Sequence, residues 1–505
     1  MKKKFIAILL ASLFILLPVF ASCTEGDAGD DDSDDDIIEG VSGDPNLTDK
    51  DWDGEVFVVL TGVDRSEGQA FNIVDLVASE DDDLSDPIRK AVFERNALIK
   101  QLYNAEIERR DETNFNAIAN DTLAFGGDYN AYMLKVQGAL TLSLTGVLLD
   151  YNAEVDYVNL NEEWWDTSTI DDLSVKNKAY FALGDINTVD DEATWCILFN
   201  KALREKYPAL PNFYDKVREG DWTVENMKLW ASKSIIDDNG SVGNKWDPNN
   251  PYQFGMFYQD EYATVLLQSS GVTPFIKEKN GNLKSNLNSL EMQNAIDAIR
   301  EYAMLENSDS EKWALNINNI SGYGGKDIWQ DVSRGGFKAN KALFCISHCG
   351  YVYLLRDMDT DFGILPIPKL SETQEEYGNT IQYGNATCYT IPYNTPDPSF
   401  SGFMIEAMGF YSSRTYSETD SLKVAFYETT LQRKGARDDE SWDMLDLVFE
   451  NRILDISIAM NTGKINDLII SSVISDSNSW ATIVASNQSK IDGQIREDIA
   501  HLMKG

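Results

Sequence analysis

The stretch from Glu55 to Ile107 constrains the fold most. Glu55-Val56-Phe57-Val58-Val59-Leu60 is a β-rich run that stops at Thr61-Gly62. Ser85-Asp86-Pro87 then supplies a capping side chain and a proline for the first turn of a helix. Ile88, Ala91, Val92, Ile99 and Leu102 keep helical spacing, Tyr103-Asn104 ends the run, and Ala105-Glu106-Ile107 begins a second strand. Strand, helix and strand in this order form a βαβ unit and imply a parallel sheet. Further helices are expected at Tyr129–Leu142, Thr223–Ile236, Glu261–Ser270, Leu290–Leu305 and Ser441–Met460, and further strands at Ala342–Ile346, Phe362–Leu365 and Thr387–Ile391. The expectation is an α/β protein, and 505 residues are enough for two α/β lobes.

The N-terminal region reads differently. Lys2, Lys3 and Lys4 precede an uncharged apolar stretch from Phe5 to Phe20, followed by Ala21, Ser22 and Cys23. This is the pattern of a secretory signal over residues 1–22. The competing reading is a membrane anchor, since Phe5–Ser22 carries no charge. Pro18 near its end and acidic rather than basic flanking residues favour the signal. Phe20-Ala21-Ser22-Cys23 also resembles a bacterial lipobox, which would make Cys23 a lipidated N-terminus. Residues 24–50 contain eleven acids and one base with almost no apolar content. Such a segment cannot offset its chain entropy by burial, so residues 23–50 are expected to be a solvated tether. The acid run Asp30–Asp36 lacks the Gly and the spaced Glu of a calcium loop.

Charge and motifs exclude several functions. The whole chain carries 43 Lys and Arg against 83 Asp and Glu, net −40, so it has no basic surplus for nucleic acid. Beyond Cys23 there are four cysteines, Cys196, Cys345, Cys349 and Cys388, and a chain of this size does not depend on a disulfide. Cys345, His348 and Cys349 are crowded, and His501 is the one other histidine, so no metal or cofactor is expected. Phosphate-binding loop, nucleophile-elbow, zinc-protease and dinucleotide patterns are absent from the sequence. Glycoside hydrolysis would need only two carboxylates, but no motif supports it.

Eleven tryptophans stand out, several beside acids, amides or glycine, as in Trp164-Trp165-Asp166, Trp195, Trp246-Asp247 and Trp329. Aromatic faces with nearby carboxylates and amides suit sugar binding, although tryptophans also serve as core. A series of segments then carries a resemblance. These are Asp53-Gly54 before the first strand, Val92-Phe93-Glu94-Arg95-Asn96, Gly126-Gly127-Asp128-Tyr129, Lys178–Asp185, Leu198–Leu203, Asp221-Trp222-Thr223, Phe362–Lys369 and Arg437–Ser441. In that order they resemble the extracellular solute-binding proteins of bacterial ABC importers, family 1, which include maltose-binding proteins. The resemblance covers roughly residues 51–460. One departure is Ser347-His348-Cys349-Gly350-Tyr351, where the family often has Gly-Pro-Trp.

The resemblance implies a two-lobed periplasmic-binding-protein-like (type II) fold with a hinge and an interlobe ligand cleft. Lobe 1 would be 51–187 plus 377–437, and lobe 2 would be 188–376 plus 438–505, with crossings near Asp185–Thr188 and Tyr377–Ile381. It implies capture of a small solute, most readily a sugar or oligosaccharide, and delivery to ABC permease subunits by a lipid-anchored, extracytoplasmic monomer without enzymatic activity. A surface glycan-binding or adhesion lipoprotein and a glycan-active enzyme are the alternatives. Candidate solute contacts are Asp64, Arg65, Trp164, Trp165, Asp185, Trp195, Trp329, Tyr351, Tyr383 and Asn385. Arg437 would either bind solute or lock a carboxylate.

Overall fold

β1 (Glu55–Thr61) and β2 (Ala105–Asp111) pair in parallel, Glu55 opposite Ala105, as the βαβ pattern requires. The computed structural model describes residues 47, 50–61, 76–112, 127–235, 246, 252–303, 313–320, 323, 325, 327–415, 420–433, 438–474 and 479–503. All belong to one unit, Gly43–Gly505. The expected leader, Cys23, the tether up to residue 46, Asp64, Arg65 and Arg437 lie outside the described residues.

The connecting helix Pro87–Tyr103 starts where the sequence places it. Asp86 accepts hydrogen bonds from the Ile88 and Arg89 amides, and Asn104 closes the helix in the left-handed region. Its Arg95 is fully buried and donates to the Ile186 carbonyl at 3.3 Å, the Ser412 hydroxyl at 3.0 Å and the Leu76 carbonyl at 3.1 Å. A guanidinium has five donors and no acceptor, so it can tie several segments at once.

The first sheet has the order β11-β3-β1-β2. β3 (Ala131–Lys135) runs parallel to β1, and β11 (Thr387–Thr390) returns antiparallel to β3. The second sheet has the order β10-β4-β9-β5-β8. Its strands are β4 (Trp195–Asn200), β5 (Phe254–Tyr258), β8 (Ala314–Asn316), β9 (Ala342–His348) and β10 (Phe362–Leu365). β5, β8 and β9 are parallel, and β4 is antiparallel to β9 and to β10. A hairpin of β6 (Phe275–Lys277) and β7 (Leu283–Ser285) stands apart. Four buried cysteines are free thiols, and Cys345 and Cys349 pack in the apolar core of the second sheet.

Two expected elements differ. The helix expected at Tyr129–Leu142 is β3 followed by a helix at Val136–Ser143. β3 is held between β1 and β11 and is buried on both faces, so it shows no alternation, and its apolar run continues straight into the helix. The helix expected at Ser441–Met460 is two helices, Asp439–Glu450 and Ile456–Met460, each with its own aspartate cap, Asp438 and Asp455. The loop between them carries Arg452. The other helices are present in trimmed form, at Val224–Ser232, Tyr262–Ser269 and Leu290–Tyr302. Among the described residues no helix is long and apolar enough to cross a membrane.

Gly184 opens the first crossing with a φ of +135° and bridges Trp165. A Cβ there would collide with the Trp164 carbonyl, so strain and overlap add. Gly184→Ala is expected to cost more than about 1 kcal/mol, read as a lower urea midpoint at unchanged m-value.

Candidate functional site: strand ends and an ionic hinge

The parallel strands decide where a site can form. β1, β2 and β3 all end on one rim of the first sheet, at Thr61, Asp111 and Lys135, and antiparallel β11 starts there at Thr387. β5, β8, β9 and β10 end on one rim of the second sheet, where β4 begins at Trp195. Ligands of open α/β sheets bind outside the carboxyl ends of the strands. Two connecting segments join these rims side by side. The Trp195 amide donates to the Thr380 carbonyl and the Gln382 amide to the Ala193 carbonyl, each at 2.9 Å.

Four of the expected site residues lie along this line. Trp195 lies against His348 with ring centroids 3.9 Å apart, and His348 meets Tyr351 edge-on at 5.4 Å. The Arg334 guanidinium sits 5.1 Å from the Tyr351 ring, on the helical turn that begins at Trp329. Burial holds His348 down to about 3, so it is a neutral aromatic wall and not an acid or base at neutral pH. Burial also pushes the Tyr351 phenol up. On the other connection, the Tyr383 carbonyl accepts from the Gln137 amide beside the first sheet at 3.2 Å. Its hydroxyl accepts from the Asn466 amide at 2.8 Å, and its ring packs on the core of the second sheet. Tyr383 therefore reaches from one sheet to the other. Asn385 lies two residues on, partly buried, with its amide donating to the Gln382 carbonyl at 2.9 Å. Aromatic faces, a guanidinium and amides on one rim can stack on C–H faces and hold hydroxyl or anionic groups.

Of the remaining described candidates, Trp329 is partly buried against the core of the second sheet, and Trp164, Trp165 and Asp185 do structural work. Trp164 is 2% exposed and packs edge-on against Phe410 at 5.2 Å; Trp165 is 4% exposed and its indole N–H donates to Glu406 at 3.2 Å. Both rings close on Gly409 of helix Pro398–Ser413, where a larger residue would not fit. Asp185 pairs with Lys423 at 3.0 Å. Burial raises the Asp185 carboxyl to about 6 despite that lysine.

Asp185 belongs to a hinge cluster that sequence reasoning missed. Arg452 bridges Asp166, at 2.8 Å, and Asp191. Asp166 caps helix Thr167–Leu173, accepting from the Thr169 amide at 3.1 Å and its hydroxyl at 2.7 Å. Burial pushes Asp166 up, but Arg452 and these hydrogen bonds outweigh it and hold the carboxyl below its usual range. Burial alone would lower Arg452; Asp166, Asp191 and Asp190 more than reverse that and raise it. Beside them Asp190 is fully buried, and no hydrogen-bond donor among the described residues reaches either oxygen. The Arg452 loop is tied on every side. The Asn379 amide donates to the Asn451 carbonyl at 3.0 Å, the Ile453 amide to Asn379 at 2.8 Å, and the Leu454 amide to Asp172 at 3.1 Å. The available signal was the density of acids at Asp185, Asp190, Asp191 and Glu192 in an otherwise apolar stretch. Among the described residues no group of three or more His, Cys, Asp or Glu is arranged to hold a metal.

No family model matches the chain, and no curated protein matches it. Solved structures do. The GacH receptor of Streptomyces glaucescens GLA.O, seen unliganded and with acarbose, superposes with a TM-score of 0.53 at 10% identity, over 88% of this chain and 99% of that one. The fold is that of the two-lobed solute-binding proteins of ABC transporters. The galacto-N-biose-/lacto-N-biose I-binding protein of an ABC transporter from Bifidobacterium longum, in complex with lacto-N-biose, matches at TM-score 0.52 and 11% identity, over 89% of this chain and 98% of that one. UgpB from Mycobacterium tuberculosis, in complex with glycerophosphocholine, matches at 0.52 and 12%, over 82% of this chain and 98% of that one. The Arg452 cluster lies beside the two segments that connect the sheets.

Two outcomes are expected. Burial raises Asp172, Asp185 and Asp455 each to about 6. The native state therefore binds more protons than the unfolded chain between about pH 4 and about pH 6, and these groups lose stability as pH rises through that window. Asp166 acts oppositely, losing stability only below about pH 4. Melting temperature should fall from about pH 4 to about pH 6, and less so in Asp172→Asn. Arg452→Met leaves Asp166 and Asp191 without their cation and should cost about 3–5 kcal/mol, measured by urea unfolding.

Proposed function

We propose that the protein is an extracytoplasmic solute-binding protein. It captures a small solute between its two lobes and delivers it to the permease of an ABC transporter. A sugar or oligosaccharide is the solute class put forward. What supports this reading is likeness along nearly the whole length of binding proteins, together with two strand-end rims joined by paired crossings. In this reading residues 1–22 are a signal, Cys23 carries lipid and residues 23–50 tether a monomeric body to the cell membrane. Lobe 1 is 51–187 plus 377–437, and lobe 2 is 188–376 plus 438–505. Tyr351 and Tyr383 offer aromatic surface to the solute, with Trp195 buried behind them against His348. Trp329 and Asn385 flank them, Asp64 and Arg65 join the set, and Arg437 either binds solute or locks a carboxylate. The protein performs no chemistry on what it binds. Closure follows from solute contacts that exist only when both lobes engage.

A thermal-shift screen of mono- and oligosaccharides, with glycerophosphodiesters as a second panel, tests this. A true solute at 100 times its dissociation constant should add about 2.7 kcal/mol of stability. Small-angle scattering should show compaction with the same compound. Binding of polymers alone, without compaction, would point to a surface glycan-binding protein, and release of cleaved product would point to an enzyme. If the second panel shifts the melt and sugars do not, the sugar assignment fails and the import reading stands.

A further inference from the structure

The hinge holds more negative than positive groups. Asp166 faces it from the cap of helix Thr167–Leu173, Asp185 from the first crossing, and Asp190 and Asp191 from the short helix Val189–Glu192. Against these four carboxyls stand Arg452, from the loop after helix Asp439–Glu450, and Lys423, from the turn Leu422–Val424. Arg452 is committed to Asp166 and Asp191, and Lys423 to Asp185. Among the described residues the other titratable neighbours bring no further positive charge. Glu192 is taken by the Thr188 hydroxyl at 3.1 Å and the Tyr353 hydroxyl at 3.3 Å, the Cys388 thiol on β11 is pushed up by burial and by Asp190, and the Tyr427 hydroxyl is bonded to Asp446. Asp190 is left with neither a cation of its own nor a hydrogen bond among the described residues. An ionised carboxylate in such a place is costly, and protonation is the usual escape.

We propose that Asp190 is a proton-dependent release for the Arg452 bridge between the lobes. While Asp190 carries its proton, Arg452 stays on Asp166 and Asp191 and the hinge is tied. Once the proton leaves, Asp190 competes for the same guanidinium and draws it off Asp166, the anchor in the first lobe. Both ends of the exchange are geometric. Among the described residues Arg452 is the one cation that pairs with both the first-lobe cap and the crossing, and Asp190 is buried next to Asp191 on the same short helix. The burial of Asp190 and the Coulomb repulsion of Asp191 raise its carboxyl well above the usual range. The inference concerns the ligand-free chain and holds whatever the solute is.

Two measurements test it on the full chain. Infrared difference spectra of wild type and Asp190→Asn at neutral pH should show the carbonyl stretch of a protonated acid, lost in the variant. If no such band depends on Asp190, the carboxyl is ionised and the proposal fails. Spin labels at Lys100→Cys and Asp359→Cys, in a Cys23→Ser background, report the interlobe distance. In the wild type the distribution should be wider at alkaline pH than at neutral pH. Asp190→Asn, a neutral near-isostere, should stay narrow at both, and Asp166→Asn should be wide at both. An Asp190→Asn protein that widens like the wild type, a wild type that stays narrow, or an Asp166→Asn protein that stays narrow, each overturns the proposal.

Discussion

One guanidinium carries the junction. Arg452 is 11% exposed in its side chain and spans Asp166 and Asp191, which lie on either side of the first crossing. Removing a cation from water is expensive unless its partners are fixed in advance. Here they are fixed: Asp166 by the amide and hydroxyl of Thr169, and the Arg452 loop by backbone bonds to Asn379 on the second crossing. The two crossings and the late loop thus share one electrostatic centre.

A second buried arginine, far earlier in the chain, ties segments through carbonyl and hydroxyl groups. Arg95 is fully buried in helix Pro87–Tyr103 and donates to Ile186 in the first crossing and to Ser412 in helix Pro398–Ser413. That helix also receives the rings of Trp164 and Trp165. The segment leading into the hinge is therefore rigidly seated on the first lobe before it meets Arg452. The aromatic line Trp195, His348 and Tyr351 sits beyond it, at the rim of the second sheet. The chemistry of that line is apolar and uncharged, since burial keeps His348 neutral.

How much of this was legible in the sequence depends on whether a residue's role is local. Asp86 and Pro87 announce their helix, and Asp221-Trp222-Thr223 announces the next, with Thr223 capping and Trp222 fully buried. These signals act within one turn. β3 was not legible, because a strand covered on both faces has no polar side to mark its period. Arg452 was not legible either. Within an apolar periodic run from Ser441 to Met460 a lone arginine reads as the solvent face of a helix, and nothing local shows that Asp166 and Asp191 will converge on it. Trp164 and Trp165 illustrate the opposite limit. Their type and neighbours fit a sugar site, but the space opposite them is set by Gly409, far along the chain.

The return of the chain through β11 has a consequence for how the molecule is made. β3 ends near residue 135, and its antiparallel partner is residues 387–390, about 250 residues later. As the chain emerges N-terminus first, β1, β2 and β3 can pair early, but β3 is left with an unpaired edge. All of the second sheet must be threaded through before that edge is covered. Non-local closure of this kind is slow, and an open edge is an invitation to mispairing. The first sheet is complete only once Thr387–Thr390 has been made, after every strand of the second.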